Sequence, residues 1–194
     1  MNPWFGKALL LLGIVSTVAI RAPHGKRRGK IKIVESRRGT LEIGLLALMW
    51  ITMMILPILA IFTPIFSFAD YQLYPIPFSI GLVCLIAGLW FFYRSHADLG
   101  QNWSLSLEIL EGHKLVTHGV YERIRHPMYT ANFLQAIAQM LLLSNWIAGP
   151  SCFVAFFLLF TLRLGGEERM MSEKFGEDYA LYKSRTKRLI PFLW

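Results

Sequence analysis

The residues of this chain best suited to chemistry fall into two groups. His113, His118, His126, Tyr121 and Tyr129 share the stretch GHKLVTHGVYERIRHPMY, and Arg163, Glu167 and Glu168 follow some forty residues later. A guanidinium grips a carboxylate through two parallel hydrogen bonds, so Arg163 is suited to an acidic ligand. Arg163 and Glu167 stand four apart at the end of an apolar run, where charge is expensive unless it is used or paired. Their plain alternative is a surface ion pair worth about 0.3 to 0.5 kcal/mol, written in the less favourable order, arginine first. The histidines raise the question of a metal. The spacing of His113, His118 and His126 follows no zinc pattern, and no cysteine assists.

The His126-Pro127 step constrains its own backbone. A residue before proline is pushed out of the α region, and proline suits the first turn of a helix, so His126 should be extended and a helix should start at Pro127. Unpaired amides at Met128 and Tyr129 would then offer a place for an anionic group. The plain reading of His126 is a helix cap, and that of Tyr121 and Tyr129 is interfacial anchoring. Gly119, before Val120-Tyr121, permits a turn with positive φ and a close approach of ligand to backbone. No glycine-rich strand-to-helix turn of the Rossmann type is present, so a bound cofactor must sit in the polar loops.

These groups have to be positioned by elements that live in a bilayer. Of 194 residues 55% are hydrophobic, mean hydropathy is +0.46, and the charges gather in a few clusters. The net charge of +8 comes from basic segments flanking apolar runs, the pattern of loops facing anionic lipid, and no nucleic-acid-binding motif accompanies it. Cys84 and Cys152 lie inside apolar runs and act as small hydrophobes.

Trp4 to Ile20 reads as a retained helix rather than a signal peptide, because its basic residues follow it and no small-residue cleavage site does. Arg21 to Thr40, with eight Lys or Arg against Glu35 alone, reads as a topology-setting loop. Leu41 to Phe68 is the second apolar run, bent by Pro57 and Pro64. Phe78 to Tyr93 makes the third helix, and the linker DYQLYPIP before it, lacking any basic residue, belongs outside. Within the polar stretch Arg94 to Arg125, Leu105, Leu107, Ile109 and Leu110 suggest an interfacial segment or a short strand. Pro127 to about Leu143 and Trp146 to Leu162 form an antiparallel helix hairpin across a turn at Ser144-Asn145. In the tail, Glu168, Met171, Phe175, Tyr179 and Tyr182 recur at helical spacing, a face that must cover the membrane surface or the loop with the His-Pro step. The closing KRLIPFLW resembles an interface anchor.

The expected fold is therefore all-α and integral to the membrane: five transmembrane helices, N-terminus outside, C-terminus cytoplasmic. Residues 1–194 form one domain, with helices 1 to 3 in 1–93 and the polar loop, hairpin and C-terminal helix in 94–194.

The string HKLVTHGVYERIRHPMY, with Arg163, Glu167, Glu168 and FGEDYALYKSR after it and DLGQNWS before it, resembles the C-terminal half of the isoprenylcysteine carboxyl methyltransferases, a group of small membrane methyltransferases. The resemblance runs from about Asp98 to the C-terminus. It implies S-adenosylmethionine as cofactor, held on the cytoplasmic face by His113, Lys114, Leu115, Val116, Tyr121, His126, Pro127, Met128, Tyr129 and Glu167, with Gly119 added for its backbone. Glu168 would hold Arg163 or neutralise the cofactor's amine. It also implies Arg163 as the substrate-facing residue, with Arg163 and Glu167 the catalytic pair, and a prenylated cysteine peptide or small prenylcysteine, methylated on its α-carboxylate, as partner in the bilayer. Three rivals stand beside it: a phospholipid N-methyltransferase, an NADPH-dependent sterol-type reductase and a non-catalytic membrane scaffold.

Overall fold

The computed structural model describes residues 1–29, 31–36 and 39–190. Lys30, Arg37 and Arg38 of the basic segment, and Pro191 to Trp194 of the expected anchor, lie outside the described residues.

Helix α1, Trp4–Arg28, runs well past Ile20 and carries Pro23 inside it. Lysine and arginine are good helix formers, and Lys26, Arg27 and Arg28 complement the negative end of the helix dipole. The first part of the basic segment expected as a loop, residues 21–28, is thus helix. Beyond it, strand β1, Ile33–Ser36, pairs antiparallel with β2, Glu108–Leu110. The alternating leucines and isoleucines after Arg94 therefore end in a short strand, a small addition to an otherwise helical fold.

The second apolar run is α2, Thr40–Trp50, a π-helical turn over Ile51–Ile55, and α3, Leu56–Phe62. Pro57 lies in the first turn of α3, where the wider π turn absorbs its missing hydrogen bond. Pro64 is not inside a helix. Extended Thr63 (φ −131°, ψ 155°) ends α3 two residues short of it, and Pro64–Ala69 is a 3₁₀ turn. Helix α4, Pro75–Leu99, extends the expected third helix at both ends and stops at Gly100, φ 54°. Helix α5, Pro127–Leu142, starts and ends almost where its sequence says. Helix α6, Ala148–Arg185, joins the expected fifth helix to the tail in 38 residues, with one break at Gly176 (φ 51°, ψ −121°).

Two ends can be recognised from the contacts. At one, the Asn145 amide joins the α5–α6 turn to the α3–α4 linker, donating to Phe66 O at 2.7 Å and Asp70 Oδ1 at 2.6 Å, while the Met1 ammonium donates to Leu73 O at 2.9 Å. At the other, Arg28 pairs with Glu108, the Leu107 N–H donates to Glu42 Oε1 at 2.9 Å, and Arg163 donates to Leu105 O at 3.1 Å. Successive long helices therefore run in alternating directions.

Helix α5 is enclosed by its neighbours, and polar side chains hold it there: Thr17 donates to Gln135 at 3.0 Å, and Gln139 donates to the carbonyls of Thr52 and Ala148 at 3.0 and 2.8 Å. A Cβ on Gly88 would stand 3.2 Å from Ala131 O, so glycine sets how closely α4 and α5 approach. Among the described residues four helices are long and apolar enough to cross a membrane, Pro3–Arg28, Thr40–Phe62, Pro75–Asn102 and Ala148–Arg185.

Candidate active site

At the end of the bundle where Arg163 meets Leu105, a cavity of about 460 Å³ opens between the His113–Tyr129 loop, α2 and α6. That volume lies in the range of small-molecule sites, roughly 300 to 1,000 Å³. Its walls differ in kind. Leu46, Met49, Trp50, Met53, Phe156 and Leu159 make an apolar side, whereas His113, Lys114, Tyr121, His126, Tyr129, Arg163 and Glu167 make a polar one.

The polar wall centres on Glu167. Its Oε2 accepts from the Tyr129 hydroxyl at 2.6 Å and lies 3.6 Å from Arg163 Nε, and its Oε1 lies 3.5 Å from His126 Nδ1. The opposite ring nitrogen, His126 Nε2, is 3.5 Å from Glu168 Oε1. Burial disfavours a charged imidazole, but the two glutamates outweigh it and raise the His126 pKa above its ordinary 6.5. His126 is thus held toward its cationic form. Its backbone (φ −125°, ψ 57°) is outside the α region as expected, and its side chain makes no cap to α5.

The tail is what closes this wall. Tyr182 donates its hydroxyl to Tyr121 O at 2.7 Å, and the Arg125 and His126 amides donate to the carbonyls of Lys187 and Arg188 at 2.7 and 3.0 Å. Tyr179 and Tyr182 are buried. Of the two surfaces that its amphipathic face was expected to cover, the tail covers the polar loop.

Leu115, Val116 and Met128 also line the cavity, but Gly119, Pro127 and Glu168 do not. Gly119 has the expected positive φ, 61°, yet what approaches it is Asp98: a Cβ would lie 2.1 Å from Asp98 Oδ2, which accepts from Val120 N–H at 2.9 Å. Glu168 neither holds Arg163 nor faces the cavity. It binds Arg125 at 3.1 Å and Arg188 at 3.1 Å, fastening the tail to the loop. At the start of α5 the Tyr129 amide is already bonded to His126 O at 3.0 Å, which leaves less of an anion site than the two expected amides. Arg163 and Glu167 are not a surface pair, since the Arg163 side chain is only 12% exposed. His118 is exposed, and among the described residues no three His, Cys, Asp or Glu side chains are grouped to hold a metal.

Several residues at or beside the cavity were not singled out from sequence. Glu42, buried in the first turn of α2, lies 3.7 Å from Arg163 Nη1. Arg21, from α1, and Trp103 line the same cavity. A buried acid opening a hydrophobic run was the available signal for Glu42, because an acid at bilayer depth calls for a partner.

Comparison with known proteins bears on this arrangement. The family model described as the isoprenylcysteine carboxyl methyltransferase (ICMT) family matches residues 79–173. The chain is similar to the protein-S-isoprenylcysteine O-methyltransferase of Tribolium castaneum, 32% identical over 117 residues, covering 59% of this chain and 42% of that protein. It is similar also to protein-S-isoprenylcysteine O-methyltransferase B of Arabidopsis thaliana, 29% identical and covering 59% of each. The chain thus spans about half the length of these curated relatives. Among solved structures it matches the eukaryotic intramembrane Ras methyltransferase ICMT with a TM-score of 0.54 and 27% identity, over 80% of this chain and 54% of that one. A multi-pass helical bundle, a shared chain trace and a matched region containing the whole polar loop and Glu167 together make this chain similar to the isoprenylcysteine carboxyl methyltransferase family over residues 79–173.

Proposed function

We propose that this chain transfers a methyl group from S-adenosylmethionine to the α-carboxylate of a C-terminal prenylated cysteine, giving a methyl ester. The observation that carries this reading is the placing of a buried His126–Glu167–Tyr129–Arg163 network at the polar wall of a cavity whose other wall is apolar. One molecule with a charged head and a hydrocarbon tail suits both walls.

The residues present fit the cofactor. His113 Nδ1 is buried without a hydrogen-bond partner, Glu167 offers a carboxylate to an amine, and Lys114 offers a cation to a carboxylate. His113, Lys114, Leu115, Val116, Tyr121, His126, Met128, Tyr129 and Glu167 would hold it. When bound it supplies a methyl group on a cationic sulfur. Pro127 and Gly119 act through the backbone they shape, and Glu168 acts by fixing the tail.

A carboxylate is ionised near neutral pH, so no general base is needed. Arg163 would orient the acceptor oxygen to within roughly 3 to 3.5 Å of the methyl carbon, in line with the departing sulfur. Arg163 would thus hold the carboxylate beside the residues that would hold the cofactor, and transfer of its methyl would cancel a cationic sulfur against an anionic acceptor, which a water-poor pocket favours. Trp50, Met53, Phe156 and Leu159 would take the prenyl chain, arriving sideways from the bilayer. We read α5 as a fifth crossing. Its 16 residues span about 24 Å at 1.5 Å each, and basic loop residues and the tail extend it on the side we assign to the cytoplasm.

The test is transfer of labelled methyl from S-adenosylmethionine to farnesylcysteine by detergent-purified protein, with cofactor binding measured in the same sample. Ester formation supports the reading. Binding without transfer directs the search to other acceptors, and neither binding nor transfer in folded protein overturns it.

A further inference from the structure

We propose that Arg21, on α1, binds the carboxylate of the acceptor together with the indole N–H of Trp103, so that the acceptor subsite has a cationic contact from outside the matched residues 79–173. This rests on the carboxyl-methylation reading above. Arg21 reaches the cavity with its Cζ 5.1 Å from the Phe92 ring centroid and 5.9 Å from that of Trp103. Aromatic faces of this kind fix a guanidinium in place without neutralising it.

Three observations point to a missing acceptor atom. Arg21 Nε and Trp103 Nε1 are both buried without a hydrogen-bond partner. Both are donors only, so an acceptor is what each lacks. Trp103 is 4% exposed and lines the cavity, so its N–H has little water to turn to. The neighbouring His96 donates Nδ1–H to Phe92 O at 2.8 Å, and its Nε2, itself unpartnered, takes neither bond.

The balance of charge around the cavity points the same way. Arg163 stands between Glu42 and Glu167, and Glu108 is paired with Arg28. Arg21 forms no ion pair with a described residue. A guanidinium held this far from water without an anion is costly unless a ligand provides one. An acceptor carboxylate would do so, leaving Arg163 to orient it and Arg21 to balance it.

The experiment compares direct binding of farnesylcysteine and its uncharged methyl ester to wild-type protein and to Arg21→Gln, with S-adenosylmethionine affinity measured in each. Wild type should favour the acid by about 10- to 100-fold, the range of a charge-assisted hydrogen-bond pair. Arg21→Gln should lose most of that preference while ester and cofactor affinities stay within about twofold of wild type. Full retention of the preference overturns the proposal. So does a loss confined to cofactor affinity, which would assign Arg21 to the cofactor's own carboxylate. Should the glutamine variant fail to fold, Arg21→Lys keeps the charge without the guanidinium geometry and should show a weaker acid preference than wild type, and an unchanged preference in it overturns the proposal. If wild type binds neither acid nor ester and transfers no methyl, the carboxyl-methylation reading itself has failed.

Discussion

The two halves of this molecule build the cavity by different means. From the second half, the His113–Tyr129 loop and the α6 tail meet through many short polar contacts: Tyr129 and His126 on Glu167, Arg125 and Arg188 on Glu168, Tyr182 on the Tyr121 carbonyl. The first half contributes single charged groups, Arg21 of α1 on the cavity wall and Glu42 of α2 beside Arg163. A polar wall made of a network can be read as a string, whereas a wall made of single residues on long helices depends on where each helix is turned. Adjacent residues can also diverge in task. Glu167 faces the cavity and Glu168, one position on, faces the tail.

That contrast between neighbours is open to direct attack. Glu167→Ala should have the largest effect, a fall of about 10³-fold in methyl transfer, the upper end for loss of one preorganised electrostatic group. Folded protein with near-normal transfer would remove Glu167 from the site. Glu168→Ala should act on stability first. It removes the carboxylate that both Arg125 and Arg188 bind, and loss of one partner from a buried pair such as Arg125–Glu168 costs about 3 to 5 kcal/mol. Thermal unfolding in detergent would register this, and an unchanged midpoint would show that the tail is fastened elsewhere.

A smaller effect separates acceptor from cofactor. Arg163→Ala should lower kcat/KM for the prenylated acceptor by about 10²-fold with cofactor affinity nearly unchanged, while Tyr121→Ala and His126→Ala should chiefly weaken the cofactor. Equal losses of both ligands in all three variants would point to a damaged fold. The mildest expectation concerns pH. Because the folded His126 pKa is raised above 6.5, its contribution to stability is fully present below that value and fades as pH rises through the raised one. His126→Gln should flatten this part of the stability profile, and an unaltered slope would show that His126 is not what titrates.

Local rules were legible wherever a neighbour along the chain sets the geometry. The start of α5 at Pro127, the positive φ of Gly119 and the hairpin at Asn145 all followed from proline, glycine and turn chemistry. Helix lengths were less legible. Apolar runs mark where a helix meets lipid, not where its hydrogen bonding stops, so α1 continues through its arginines and α6 through the charged tail. The partners of Glu168 were illegible for a related reason. Helical spacing relates it to positions on its own helix, but its partners Arg125 and Arg188 come from other segments.

By itself, then, the amino-acid sequence determined a membrane-embedded helical chain, a His-Pro helix start and the acid–arginine pair proposed to carry the chemistry, because each depends on composition or on contacts a few residues apart. Only tertiary structure decided that Glu167 faces the cavity while the buried Glu168 faces the tail, that Arg21 shares one cavity with Arg163, and that Glu42 lies beside Arg163. Those outcomes depend on how helices distant in sequence are rotated and packed against one another, information that no local spacing contains.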